Sequence, residues 1–228
     1  VQSQKTSVDY NTTATTIAAT FAAAVGSGNL VVGSCIHLGT LSSVTDDQGN
    51  TYTVQRETAG AGGLTLSSFF AANITNGPVT ITVTFTASVG GRGLIIHEAS
   101  GIATSAALDK DAGQLQLGPT GTDGVTSGAV TTTTDGQYIY GATVATNNIR
   151  TAWFSAGTDY TERQETGGGN AVDMASEDRV QTTQGSIAAT FTPADADNDV
   201  THILTFKGAA AANPAYQPWY HRAPVLAQ

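Results

Sequence analysis

Asp195, Asp197 and Asp199 alternate in the run Asp195-Ala196-Asp197-Asn198-Asp199. That spacing presents three carboxylates to one loop and resembles the first half of an EF-hand calcium site. The later half would need a glycine at position six and a bidentate Glu at position twelve, and the chain supplies neither. Asp46-Asp47, ahead of Gly49-Asn50, is a second acidic turn. In both places the competing reading is that aspartates accept hydrogen bonds from their own backbone. Calcium is the one cofactor these residues invite. The four histidines are His37, His97, His202 and His221. His97-Glu98 lies in a strand pattern, where neighbours point to opposite faces, so the two cannot serve one site. No Gly-x-Ser-x-Gly elbow, His-Glu-x-x-His or P-loop is present. Cys35 would need a nearby base to act as a nucleophile, and its apolar surroundings predict a buried small hydrophobe. The chain therefore reads as non-enzymatic.

Aromatic side chains offer binding rather than catalysis. Trp153-Phe154, after Asn147-Asn148, is the best candidate for an exposed pair that stacks on a sugar ring; burial under its own loop is the alternative. The last stretch, residues 209–228, differs from everything before it. It holds Pro214, Pro218 and Pro224, three of the six prolines, and Trp219, one of the two tryptophans. Prolines at that spacing exclude a helix and a sheet ladder, which predicts an extended arm. Tyr216, Trp219, Tyr220 and Arg222 are residue types that anchor interfaces. The arm docks either on a neighbouring subunit or back on its own body.

The elements that must position these residues are strands. Charged residues make up only 12% of the 228, while Thr, Ser, Ala and 26 glycines take their place. A helical bundle would need a charged outer face; short strands with threonine-covered faces and tight turns would not. Val79-Thr80-Ile81-Thr82-Val83-Thr84-Phe85 alternates cleanly, with its odd positions suited to a core. A net charge of −9 excludes a nucleic-acid backbone as partner. No apolar run is long enough to form a membrane helix. The start at Val1 rather than Met fits removal of a leader, as would simple trimming.

Two halves of the chain look like variants of one another, roughly 108 residues apart. Gly28-Asn29-Leu30-Val31-Val32-Gly33 lies opposite Gly136-Gln137-Tyr138-Ile139-Tyr140-Gly141, and Gln55-Arg56-Glu57-Thr58 opposite Arg163-Gln164-Glu165-Thr166. His97 and His202 occupy comparable places. Each half reads as six strands, within 13–100 and 127–207, joined by a connector over 101–126. Two tandem small sandwiches are one solution. Interleaving both copies in one two-sheet sandwich over residues 1–208 buries more apolar area per residue. The expected fold is therefore all-β: a jelly-roll-like sandwich of two related halves with an extended C-terminal arm.

The succession Gly-Asn-Leu-Val-Val (28–32), Val-Thr-Asp-Asp-Gln-Gly-Asn-Thr-Tyr-Thr (44–53), Ile-Thr-Val-Thr-Phe (81–85) and Glu-Ala-Ser-Gly-Ile (98–102) resembles a jelly-roll module. That module recurs in phage virion proteins and secreted bacterial proteins. Ser-Gly-Ala-Val-Thr-Thr-Thr (127–133) and Ile-Leu-Thr-Phe-Lys (203–207) extend the resemblance over residues 10–207, leaving the arm outside it. The resemblance brings no catalytic residues. It implies a structural subunit on a virion or in an extracellular assembly, clasping copies of itself or another subunit through the arm and residues 1–9. The rival expectation is a secreted module that binds a cell-surface glycan through the loop over 147–155.

Overall fold

The computed structural model describes residues 1–8, 11–75, 77, 80–118, 123–146, 154–166, 172–194 and 197–210. These residues form strands and one short 3-10 turn, Ala61–Gly63, with no α-helix among them. The first half contributes β1 (Gln2–Val8), β2 (Ala14–Thr20), β3 (Leu30–Leu38) and β4 (Leu41–Asp46). It continues with β5 (Thr53–Ala59), β6 (Leu64–Ala71), β7 (Thr80–Val89) and β8 (Arg92–Ala99). The second half opens with β9 (Leu108–Gln116), β10 (Val125–Thr126), β11 (Val130–Thr131), β12 (Gln137–Ala145) and β13 (Phe154–Ala156). It closes with β14 (Thr161–Thr166), β15 (Met174–Gln181), β16 (Ser186–Ile187), β17 (Thr190–Pro193) and β18 (Asp199–Phe206).

Pairing is antiparallel throughout the described strands, and no sheet mixes the halves. The first half forms a five-stranded sheet, β1-β8-β3-β6-β5, and a three-stranded sheet, β2-β7-β4. The second forms β14-β15-β12-β18-β9, β10-β17-β13 and the small pair β11-β16. The interleaved two-sheet sandwich is thus replaced by separate sheets within each half. The apolar area is recovered another way. One core cluster, with Ile17, Val31, Phe69, Ile81, Val83 and Phe85, fills the first half between its two sheets. Another, with Ile139, Phe154, Ala175, Phe191 and Ile203, fills the second. Two further clusters draw on both halves at once: Leu30, Val32, Tyr140 and Leu204 in one, Ile36, Leu66, Val144 and Met174 in the other. The five-stranded sheets therefore stack on each other, and the three-stranded sheets cover their outer faces.

This layering explains the sequence of the central strands. In the outer strand β7, Ile81, Val83 and Phe85 are buried while the threonines between them are more exposed. In β3 and β12 alternation disappears, because both faces are covered and nearly every residue is buried. Val31 and Cys35 point to the first-half core; Leu30, Val32 and Ile36 point across to the other half. Gly33 sits where the sheet allows no side chain. A Cβ there would lie 2.7 Å from the Ile95 carbonyl oxygen and 2.7 Å from Phe69 Cζ.

Residues 2–8 pair with β8 of the same chain, as an edge strand of the first five-stranded sheet. The connector over 101–126 contains β9, the edge strand of the second five-stranded sheet, registered along β18. Its charged and polar residues hid a strand whose faces are only half-buried. The turn at Asp46 follows the backbone-capping alternative. Its carboxylate accepts from the Gln48 and Asn50 amides at 2.9 and 3.1 Å, from the Asn50 side chain and from the Tyr52 hydroxyl.

Candidate functional site

Strand alternation sends His97 into the seam between the five-stranded sheets and Glu98 to the opposite face. There the Glu98 carboxylate accepts from the Gly26 amide and the Asn29 side chain. Across the seam, His97 Nε2 meets Ser176 Oγ of β15 at 2.8 Å, and Nδ1 meets the Tyr138 hydroxyl of β12 at 3.2 Å. Tyr138 donates to Asp178 Oδ2 at 3.1 Å. Arg163 Nε donates to both Asp178 oxygens at 3.0 and 2.9 Å. These partners dictate the protons. Tyr138 spends its own on Asp178, so His97 Nδ1 donates to the tyrosine oxygen and Nε2 accepts from Ser176. The imidazole is neutral; burial, reinforced by the Arg163 charge, holds its pKa down to about 3.

His202 repeats this arrangement in the reverse direction. It stands on β18, and its Nδ1 meets Ser68 Oγ of β6 at 2.8 Å. Its Nε2 meets Thr58 Oγ1 of β5 at 2.9 Å. Burial, then the charge of Arg56, lowers its pKa to about 3. Arg56 is occupied by Asp111 of β9 at 2.5 Å. Gly113, opposite His202 in the β9 register, leaves the ring its room: a Cβ there would fall 2.4 Å from the imidazole. Between the two histidines, Tyr140 donates to Ser34 Oγ at 3.0 Å, and Ser34 meets Ser68 at 2.7 Å. Each half thus lends a histidine to a serine of the other.

Ser176, His97, Tyr138 and Asp178 have the donor order of a nucleophile, a base and an acid. Yet Ser176 and His97 are both 0% exposed. A pocket of about 270 Å³ opens at the mouth of the seam, lined by Val1, Tyr138, Asp159, Thr161, Arg163, Asp178, Arg179 and Val180. It reaches the acid end of the chain and stops short of the serine. In this state no substrate carbonyl could approach Ser176 Oγ. These groups satisfy one another's hydrogen bonds inside a buried contact between sheets.

No protein-family model, curated protein or solved structure matches this chain.

The residues singled out by sequence fall in different places. Tyr216, Trp219, Tyr220 and Arg222 of the arm, Trp153, and Asp195 lie outside the described residues. Of the two readings left open for Phe154, exposure beside Trp153 or burial, the structure has the ring buried in the second-half core, edge-on to Phe191 with ring centroids 6.2 Å apart. Asp197 and Asp199 are buried. Asp197 accepts from the Asn198 amide at 2.6 Å, and Asp199 begins β18 between Ala145 and Gln116. Among the described residues no group of three or more His, Cys, Asp or Glu is placed to hold a metal ion.

Ser68 and Ser176 carry no local mark of what they meet: Ser68 follows Ser67, and Ser176 precedes Glu177-Asp178-Arg179. Glu177 is buried in the second-half core, where Gly157 and Thr190 amides donate to its two oxygens at 2.8 and 3.0 Å. Burial pushes its pKa up to about 8. It ties β15 to the segments around β13 and β17, a role invisible without their positions.

Proposed function

We propose that this chain is a non-catalytic structural subunit, on a virion surface or in another extracellular assembly, whose C-terminal arm docks on a neighbouring copy. The observation that carries this reading is the use made of the seam. Side chains with catalytic potential are consumed in joining one sheet to another, which favours a rigid body over a reactive cleft. The same reading takes the fold as a jelly-roll-like unit present twice. Its support is the matching strand order: each five-stranded sheet is centred on β3 or β12, flanked by the last strand of its half on one side and by β6 or β15 on the other. The uncharged outer strand β7, rich in threonine, suits an exposed surface that must not attract soluble partners. The arm, with three aromatic residues and one arginine, is the part left to make contacts.

Deleting residues 209–228 tests the reading by sedimentation at several concentrations beside far-UV circular dichroism. Loss of assembly with an intact β spectrum is the expected result. Assembly that persists unchanged without the arm refutes it.

A further inference from the structure

The pocket at the seam mouth has an exposed apolar rim. Val1 and Val180 are 56% and 59% exposed, two of the three large hydrophobic residues left exposed among the described residues, and both line it. Its floor is the Tyr138–Asp178–Arg163 end of the buried chain, fixed by the hydrogen bonds given above. On one wall Asp159, its side chain 71% exposed, faces Arg179 at 3.6 Å. Arg179 is also held over the Tyr160 ring, 5.3 Å from its centroid. Asp159 thus keeps most of its carboxylate free for a second cation. At about 270 Å³ the cavity suits a single aromatic side chain better than an extended ligand.

The chain supplies such a group. Tyr216, Trp219 and Tyr220 precede Arg222, which gives the arm +1; with −9 overall, the remainder carries −10. The exit point also lies at the right end of the sheet. Phe206, Tyr138 and Val180 share one row across β18, β12 and β15, so the end of β18 and the pocket rim are about 10 Å apart. From Ala210, the last described residue, Trp219 can travel roughly 30 Å along an extended chain, enough to cross to another molecule.

We infer that this pocket is the seat for the arm of a neighbouring copy, its aromatic cluster centred on Trp219 covering Val1 and Val180 and Arg222 meeting Asp159. The inference rests on the assembly reading above and names the surface the arm engages.

The test uses the full-length chain with Gln217 replaced by benzoylphenylalanine, mixed in equal parts from ¹⁵N-labelled and unlabelled preparations and irradiated. Crosslinks between isotopically different chains, mapping to residues 159–163, 178–180 or Val1, are expected. A Val180→Asp variant, altered at an exposed position, should keep its melting temperature and need at least tenfold more protein to assemble. Crosslinks confined to single chains, or mapped to another face, overturn the inference, as does unweakened assembly of Val180→Asp. Arm-dependent assembly with crosslinks elsewhere would remove the pocket and leave the assembly reading standing; assembly indifferent to arm deletion removes the reading itself.

Discussion

Replacing the two seam histidines, in the variant His97→Gln/His202→Asn, should change how stability responds to acid. Both imidazoles titrate near pH 6.5 when unfolded and near 3 in the folded chain. A depressed folded pKa means that the unfolded state binds more protons between those values, so stability falls as pH drops below 6.5. Between pH 7.5 and pH 5 each histidine should remove about 2 kcal/mol, or about 4 for the pair. Glu177 opposes them. Its pKa is raised from 4.5 to about 8, so the folded state holds the extra proton, and its contribution grows by about 3 kcal/mol over the same fall in pH. Glu165, raised to about 7, acts in the same direction. The native chain should therefore show a shallow pH dependence that conceals two opposed titrations. Urea unfolding from pH 7.5 to pH 5 measures the difference between native chain and variant, from which the glutamates cancel. That difference should shrink by about 4 kcal/mol across the range as the histidines' penalty on the native chain develops. Parallel curves for the two proteins would refute the neutral, buried seam, because they would mean that the imidazoles protonate in place.

Phe154→Ala tests the burial of that ring. Emptying a buried aromatic site should cost about 3–5 kcal/mol in urea unfolding, whereas an exposed sugar-stacking residue would leave stability nearly unchanged. Gly33→Ala would drive a methyl group into the Ile95 carbonyl and the Phe69 ring, and should cost about 1–3 kcal/mol; a neutral substitution would show that Phe69 and the flanking strand give way more readily than their packing implies.

Much of the architecture was legible locally. Ile81, Val83 and Phe85 face a core because strand geometry has period two, and the threonines between them took the outer side as read. Cys35 is buried, as its apolar strand required. What misled was the balance of apolar area, which favoured one interleaved sandwich over the stacking of two sheet pairs. The clue lay in Leu30–Leu38 and Gln137–Ala145, where alternation gives way to continuous burial. Such a run says that both faces are covered but cannot say by what.

The site shows the same division. The sequence by itself determined that His97 and Glu98 part company and that each half carries a histidine near its end. Only the tertiary structure decided what the histidines meet: Ser176, 79 residues from His97, and Ser68, 134 residues from His202. The reason is physical. Alternation and turn formation depend on backbone geometry over a few residues, so they are written in short windows. The partner of a buried polar group depends on which sheets stack and in what register, and that outcome is set by the whole hydrophobic surface at once.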